Sequence, residues 1–398
     1  MTAKVAITRC ATYDPEPLKD AVRTALSLIG SLREVVKPSQ RVMLKINHLG
    51  HHRPESAVQT RAEFARAVIE LVQEITDDIV VADGLGTPGI DGFATSGILQ
   101  VCRDLGVELL NFKGHPYREV DDPAFEAVGP VPFPEAALDA DVIITLPKLK
   151  THVLCLLTGA VKNSYGFVPT RLRSNYHLTF PEPDAFSNAV VDVFQACRPH
   201  LAIVDGVVAL EGTGPSSAGV PKPLGVVLAG RDCVAVDAVV AAIMGLAPTD
   251  VASTRHASRR GIGEADLDHI EVLGEPIGAA VNPFALPSNR MLLDSVLSRL
   301  PGPVARMLIG FIRSGREYPQ VIKKRCVSCG LCVKHCPAGA VTLAGGTAKI
   351  DPALCIACFC CQEFCEHGAI GVRRQGLGAL LALAAKMRTL LRRLLRRN

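Results

Sequence analysis

The residues best suited to chemistry are two strings of cysteines near the end of the 398-residue chain, each with the spacing C-x2-C-x2-C-x3-C. The first string holds Cys326, Cys329, Cys332 and Cys336, and the second holds Cys355, Cys358, Cys361 and Cys365. A zinc site built from two CxxC pairs, or a redox dithiol, would leave the regular third and fourth cysteines without a role. The spacing therefore favours iron–sulfur chemistry.

The two strings resemble a bacterial-type ferredoxin domain with two four-iron clusters, in which each motif supplies three ligands to one cluster and the fourth to the other. The resemblance implies one [4Fe-4S] cluster on Cys326, Cys329, Cys332 and Cys365, and a second on Cys355, Cys358, Cys361 and Cys336. Pro337 follows the first motif and Glu366 the second, a difference that concerns the turn and not the ligands. Cys360 is an extra thiol, interpreted as a packing residue or as a group that tunes the cluster environment.

The chain before these motifs predicts an α/β fold, because short apolar runs alternate with helical patterns in the order βαβαβ. Further strands are predicted at 107–112, 141–147, 200–206 and 224–230, with helices near 184–197 and 232–244. The predicted architecture is an open, mostly parallel sheet with helices on both faces, followed by a small α+β ferredoxin-like domain and a terminal amphipathic helix.

Polar residues follow several of the predicted strands. In open α/β sheets, ligands bind outside the carboxyl ends of the strands. The candidate substrate-binding residues at these ends are Lys45, Asn47, Asp83 and Asp205. An alternative for the two aspartates, each followed by Gly, is that the carboxylate caps the next turn.

The segment 146–166 carries basic and amide side chains among Leu, Val, Thr and Gly, and it contains no acid. Its candidate catalytic residues are Lys148, Lys150, His152, Lys162 and Asn163. Lysines in such surroundings favour an anionic or carbonyl partner, or lowered lysine pKa values. His152 is a candidate proton donor, with a structural histidine as the alternative.

The stretch "LEGTGPSSAG" at 210–219 is a glycine-rich loop after a strand. Its backbone amides, near Gly212 and Gly214, are candidates for an anion-binding nest. The loop lacks both the Lys-Ser/Thr of a phosphate-binding loop and G-x-G-x-x-G, so we expect no nucleotide or dinucleotide cofactor.

Six segments carry a second resemblance, at 44–47, 52–60, 141–152, 158–166, 205–215 and 232–239. Together they resemble domain-of-unknown-function family 362, which is often fused to a ferredoxin module, over residues 4–275. The resemblance implies an iron–sulfur protein of redox function, and it brings no reaction with it.

The predicted organisation is an α/β domain at 1–275, a connector at 276–322, the ferredoxin-type domain at 323–373 and a basic amphipathic helix at 374–398. The net charge is +4, and residues 371–398 contain eight Lys or Arg and no acid, so the chain without them would have a net charge near −4. Such a helix binds an anionic membrane surface, its own protein or the acidic groove of a partner. With no secretory signal and no membrane span, the expected location is the cytoplasm, with peripheral contact at the inner face of the membrane as an option.

Two functions remain open on the sequence. One is a ferredoxin-linked iron–sulfur oxidoreductase that exchanges electrons with an organic, anionic or carbonyl-containing substrate bound in the α/β domain. The other is a non-catalytic electron-transfer protein whose α/β domain docks a redox partner. A scaffold that passes clusters to other proteins is a third, weaker hypothesis. The expected partner is a redox protein or ferredoxin-type donor, and the absence of Trp argues against nucleic acid.

Overall fold

The computed structural model describes residues 2–86, 89–287 and 318–373. The chain divides into two compact units, Met1–Pro287 and Ser288–Asn398. This boundary falls inside the connector predicted at 276–322, whose residues 288–317 lie outside the described part. The basic helix predicted at 374–398 also lies outside it.

The first unit is built on one mixed sheet. In chain order the strands of this unit are β1 (Ala3–Arg9), β2 (Val42–Ile46), β3 (Ile79–Asp83), β4 (Glu108–Asn111), β5 (Tyr117–Val120), β6 (Val131–Pro134), β7 (Val142–Leu146), β8 (Lys148–His152), β9 (Leu156–Thr158), β10 (Leu201–Gly212), β11 (Gly219–Gly230) and β12 (Ile270–Gly274). The order across the sheet is β12-β1-β11-β10-β7-β2-β3-β4, with β8 paired to β10 and β9 to β8, while β5 and β6 form a separate ribbon. Strand β11 is antiparallel to β1 and β10, and β9 is antiparallel to β8, whereas the other pairs in this sheet are parallel.

Helices cover both faces of this sheet. They are α1 (Pro15–Leu28), α2 (Leu32–Val35), α3 (Ala62–Gln73), α4 (Ile98–Leu105), α5 (Glu135–Leu138), α6 (Ala160–Asn163), α7 (Thr170–Thr179), α8 (Pro183–Ala196), α9 (Cys233–Ile243), α10 (Ala252–Arg259) and α11 (Ile277–Ala280). Met43 of β2 packs in the core cluster with α8 and α9, whereas its neighbour Leu44 packs in the cluster with α1 and α3. Successive side chains of a strand point to opposite faces, so the predicted fold class is confirmed.

The sequence of the inner strands explains their position. Strand β2 reads VMLKI and β3 reads IVVAD, and all the residues of both strands are buried. Parallel strands covered by helices on two faces lack the alternation of half-exposed strands and read as apolar runs. The polar residue near the end of each run is therefore carried to the carboxyl edge of the sheet.

Two hairpins in the first unit differ from the prediction. Strands β10 and β11 are each 12 residues long, so the predicted glycine-rich loop is the tip of a long hairpin and not a free loop. The other hairpin joins β8 to β9 and carries Lys148, Lys150 and His152. The sequence pattern predicts no strand over these residues, and the structure corrects this. Among the described residues, no helix is long and apolar enough to cross a membrane.

The second unit contains a repeated element. Its described strands and helices are β13 (Tyr318–Val321), α12 (Leu331–Lys334), β14 (Val341–Ala344), β15 (Thr347–Ile350), α13 (Cys360–Glu363) and β16 (Ile370–Arg373). Strand β13 pairs with β16 and β14 with β15, both antiparallel. The residue numbers of α13 are those of α12 plus 29, and those of β16 are those of β14 plus 29. The same shift of 29 residues relates the two cysteine motifs.

Candidate functional site

Two cavities in the second unit are each lined by four of the predicted ligand cysteines. The first cavity is lined by Cys326, Cys329, Cys332 and Cys365. The second cavity is lined by Cys336, Cys355, Cys358 and Cys361. Each cavity thus takes three cysteines from one motif and the fourth from the other, which is the grouping that the ferredoxin resemblance implies.

The backbone of both motifs is shaped alike. Ser328 and Ala357 occupy equivalent positions, and each has a left-handed conformation, with φ of 58° and 56°. Gly330 and Phe359 are also equivalent, with φ of 79° and 62°. A left-handed backbone is uncommon for residues other than glycine. Its recurrence at both motifs shows that the turn required to direct the thiols inward overrides this preference.

Backbone N–H groups donate hydrogen bonds to four of the cysteine sulfurs. Ala340 N–H lies 3.2 Å from Cys336 Sγ, and its equivalent Ala369 N–H lies 3.2 Å from Cys365 Sγ. Two longer bonds of 3.4 Å join Ala348 N–H to Cys326 Sγ and Ala357 N–H to Cys355 Sγ. Hydrogen bonds of this kind stabilise thiolate sulfur and tune the potential of iron–sulfur centres.

Cys360 adds a fifth sulfur to the second cavity. It lines the cavity and is buried. Its thiol hydrogen-bonds to Cys358 and lowers the pKa of the Cys358 thiol. In the first motif the equivalent position is Leu331. At this position the second cavity therefore has a thiol where the first has an apolar side chain.

The donor set of both cavities fits a [4Fe-4S] cluster. Each cavity is lined by the four cysteines of its predicted ligand set, and these clusters are held by four Cys thiolates. The walls are otherwise largely apolar, with Val327 and Leu343 at the first cavity and Ile350 and Ile356 at the second. We find no part of either lining that conflicts with a cluster.

A second group of candidate residues lies at the carboxyl ends of β2 and β3. Lys45 Nζ and Asp83 Oδ1 are 2.9 Å apart, and both side chains are almost fully buried. Asp83 Oδ2 also accepts a hydrogen bond from the N–H of His48 at 2.7 Å. Gly166 covers the pair so closely that a Cβ there would lie 2.6 Å from Lys45 Nζ. Burial lowers the pKa of Lys45, and the carboxylate of Asp83 opposes this effect.

The predicted residues Asn47 and Asn163 meet beside this ion pair. Asn47 Nδ2 donates to Asn163 Oδ1 at 3.1 Å. Asn163 Nδ2 in turn donates to Lys45 O at 3.2 Å and to Thr145 Oγ1 at 2.8 Å. The amide of Asn163 thus ties α6 to the ends of β2 and β7.

Lys148 and Asp205 form a second buried ion pair. Lys148 Nζ lies 2.9 Å from Asp205 Oδ2, and both side chains are fully buried. Tyr13 completes the group, because its hydroxyl donates to Asp205 Oδ1 at 2.8 Å and accepts from Lys148 Nζ at 2.8 Å. Burial lowers the pKa of Lys148, against the effect of Asp205, and burial raises that of Tyr13.

The other candidates of the basic segment have separate contacts. Lys150 is buried, and its Nζ donates to Val58 O at 2.5 Å. His152 Nδ1 accepts the N–H groups of Leu154 and Cys155, at 3.0 and 3.2 Å. Lys162 is half-buried beside an aromatic ring.

Gly212 and Gly214 lie at the tip of the β10–β11 hairpin. The N–H of Gly212 donates to Ala285 O at 2.6 Å. At Gly214 a Cβ would lie 2.1 Å from Thr151 O, so the hairpin packs against β8 at this point. Both glycines therefore have contacts within the first unit. Their role in ligand binding stays a prediction.

The sequence reasoning missed Tyr13, His48, His52 and Asp237. His52 is buried beside Lys150, and burial lowers its pKa to about 4. Asp237 accepts the N–H groups of Ala160 and Val161, at 2.6 and 3.1 Å, and so holds the start of α6. Burial raises the pKa of Asp237 to about 7. No local pattern marks these residues, since each acquires its partners through distant contacts.

An α/β unit with buried charges at its strand ends, together with a unit bearing eight cysteines around two cavities, defines an iron–sulfur protein of modular construction. Residues 42–242 match the Domain of unknown function (DUF362), and residues 319–342 match the 4Fe-4S binding domain. The chain belongs to the DUF362 family. The resemblance drawn from the sequence is therefore confirmed for both units.

Comparison with known proteins adds one curated relative, a thylakoid-associated protein of Synechocystis sp. It is 32% identical over 302 residues, which cover 75% of this chain and 92% of the relative. Two solved structures share a weaker likeness. The lactate racemase apoprotein of Thermoanaerobacterium thermosaccharolyticum is 9% identical with a TM-score of 0.36, and a Thermotoga maritima protein is 14% identical with a TM-score of 0.32.

The likeness to the lactate racemase apoprotein covers 51% of this chain and 50% of that structure. The likeness to the Thermotoga maritima protein covers 50% of this chain and 51% of that structure. The chain thus spans about half the length of each solved structure. At these TM-scores neither likeness supports a conclusion about this chain. The ferredoxin match ends before the second cysteine motif begins, so it supports 4Fe-4S binding without giving the number of clusters.

Proposed function

We propose that the protein is an electron carrier with two [4Fe-4S] clusters, one in each cysteine-lined cavity. The observation that carries the proposal is the exchange of the fourth cysteine, since Cys365 lines the first cavity and Cys336 the second. Bound clusters of this type accept and donate single electrons. The chain's own residues supply the thiolates, the N–H donors to sulfur and the apolar walls that exclude water.

The exchange of the fourth cysteine gives a sharp test. In a variant that lacks Cys326, Cys329 and Cys332, about four of the expected eight iron atoms should remain. Adding Cys336→Ala to that variant should remove them, whereas adding Cys365→Ala should leave them in place. Iron and acid-labile sulfide analysis, with electron paramagnetic resonance of the reduced protein, measures both results.

Cys155→Ala is the matched control, because Cys155 is a buried cysteine of the first unit and should not affect iron content. Equal loss of iron from both combined variants would overturn the exchanged assignment. Wild-type protein that holds only one cluster after reconstitution would overturn the proposal of two.

We also propose that the α/β unit binds the organic electron donor or acceptor at the carboxyl ends of its strands. Support comes from buried polar atoms near this edge, since Asn47 Oδ1 and His52 Nε2 have no hydrogen-bond partner among the described residues. Such atoms usually pair with a ligand or water. Lys45, Lys148 and Lys150 lie nearby, the first two paired with Asp83 and Asp205. Their N–H groups favour an anionic or carbonyl-containing molecule, with His152 as the proposed proton donor.

Mass spectrometry of small molecules released from the purified protein tests this second proposal. We expect a carboxylic acid or carbonyl compound in wild-type protein and at least about fivefold less of it in Asn47→Ala, because a buried polar contact contributes about 1–3 kcal/mol. Iron content should be the same in both. If no compound is released, and none of a panel of oxo acids raises the melting temperature, the α/β unit is better explained as the docking domain for a redox partner.

The expected location stays a proposal as well. The Synechocystis relative is described as thylakoid-associated, and residues 374–398 are rich in Arg and Leu. We propose a protein of the cytoplasm with peripheral contact at the inner face of the membrane, and both facts support the membrane contact. The predicted C-terminal helix that would make this contact lies outside the described residues.

A further inference from the structure

The two cavities differ in their exposure to solvent. Cys329 of the first cavity is exposed, whereas the ligand cysteines of the second are half-buried or buried. Electron transfer between proteins requires that a redox centre lie near the contact surface. The first cavity therefore offers the more accessible end of the two-cluster unit.

Apolar side chains surround the exposed cysteine. Val327 and Leu343 both line the first cavity, and they are 58% and 46% exposed. The Cδ1 of Leu343 lies 3.8 Å from the position a Cβ would take at Gly330, so Leu343 sits over the loop that follows Cys329. Exposed apolar side chains at the centre of a patch favour contact with another protein.

Basic side chains form one border of this patch. Lys323, Lys324 and Arg325 are exposed and lead directly into Cys326. Arg325 Nη1 lies 3.4 Å from Gly368 O, next to His367, which lines the first cavity. Over 318–373 the chain has six Lys and Arg but only three Asp and Glu. The side chains of this segment therefore contribute a net positive charge, and the basic run 323–325 places three of these charges at the border of the patch.

We infer that the mouth of the first cavity, formed by Val327, Cys329 and Leu343 with the basic run 323–325, docks a small acidic electron-carrier protein. One electron passes from the reduced centre of the carrier to the iron–sulfur centre of this protein, and the oxidised carrier leaves with no bond broken and no proton moved. The inference rests on the proposed function, because it requires a cluster in the first cavity.

The combination of features favours a protein over a lipid surface. A membrane-binding surface needs a broad apolar face along with its basic residues. Here two exposed apolar side chains stand beside a ligand cysteine, which is the arrangement of a small contact for brief electron transfer. Complementary charge at the border of such a contact accelerates association.

The experiment measures, by stopped flow, the second-order rate at which a reduced plant-type [2Fe-2S] ferredoxin, chosen for its acidic surface, reduces the cluster-loaded full chain. We expect Lys324→Glu to lower this rate at least about fivefold, because charge complementarity can raise association rates by orders of magnitude. The second-order rate constant of the wild type should decrease as the salt concentration rises from about 0.01 M to about 0.1 M, because the screening length shortens from about 30 Å to about 10 Å.

Lys349→Glu is the matched control. Lys349 pairs with Thr342 in the β14–β15 hairpin, whereas Leu343 pairs with Ala348, so Lys349 lies on the opposite face of the hairpin from Leu343. The same change of charge at this position should alter the rate less than about twofold. A Leu343→Ser variant tests the apolar part, and we expect it to slow the reaction with little change in its salt dependence.

Dithionite, a small reductant that needs no docking surface, separates this inference from the proposed function. If dithionite does not reduce the wild-type protein, the proposed function fails. If dithionite reduces all variants alike while the ferredoxin reaction is insensitive to salt and to Lys324→Glu, the docking inference alone is overturned. It is also overturned if Lys324→Glu weakens binding to vesicles of anionic phospholipid and leaves the ferredoxin rate unchanged.

Discussion

At the scale of single residues, the charges at the strand ends are notable for being both buried and paired. Lys148 and Asp205 are fully buried, and Tyr13 bonds to both. A buried ion pair gains little net stability, yet removal of one partner costs about 3–5 kcal/mol because a charge is left unpaired. Lys148 is therefore fixed in place and is not available on a surface for docking.

Cys360 gives a prediction at the same scale. Its thiol hydrogen-bonds to Cys358 in the second cavity, where the first motif has Leu331. A hydrogen bond to a ligand sulfur stabilises the reduced, more negative state of a cluster. With about 1 kcal/mol for such a bond, and 59 mV per 1.4 kcal/mol for one electron, Cys360→Leu should lower the reduction potential of the cluster proposed for the second cavity by about 40 mV.

Redox titration followed by electron paramagnetic resonance measures this shift. Cys360→Ser keeps a donor group and should shift the potential less than Cys360→Leu. The iron content of both variants should match that of the wild type. Loss of about four iron atoms would show that Cys360 is a ligand, contrary to the prediction.

At the scale of elements, the sequence predicts those strands and turns whose cause lies in a short stretch of residues. The inner strands β2 and β3 are apolar runs, so their existence and the polar residues near their ends followed from the sequence. The turn of each cysteine motif is local, whereas the exchange of the fourth cysteine between the motifs followed only from the ferredoxin resemblance.

Strand β8 could not be predicted in this way. It reads KLKTH, and all of its residues are buried. Lys148 and Lys150 are accommodated there by Asp205 and by the carbonyl of Val58, which lie far away in the sequence. Tertiary contacts thus overrode the local polarity, and the same dependence on distant partners hid Tyr13 and Asp237.

At the scale of the whole molecule, the two units have very different cores. The first has two extensive apolar clusters, one on each face of its sheet. In the described part of the second unit the buried cluster has seven residues, and three of them are the cysteines Cys332, Cys361 and Cys365. A small unit whose core consists partly of ligand side chains depends on its metal for folding.

Removal of iron by a chelator should therefore unfold the second unit and spare the first. In hydrogen exchange followed by mass spectrometry, the protection free energy of peptides from 318–373 should fall toward zero. Peptides from the sheet, such as those containing β2 and β3, should exchange as slowly as before.

A variant in which all eight predicted ligand cysteines are replaced by Ala controls for direct effects of the chelator, because its exchange should not respond to the treatment. Faster exchange throughout 42–242 after iron removal from the wild type would contradict the prediction. That result would mean that the stability of the sheet depends on the clusters, and that the family domain and the ferredoxin-type unit fold as one.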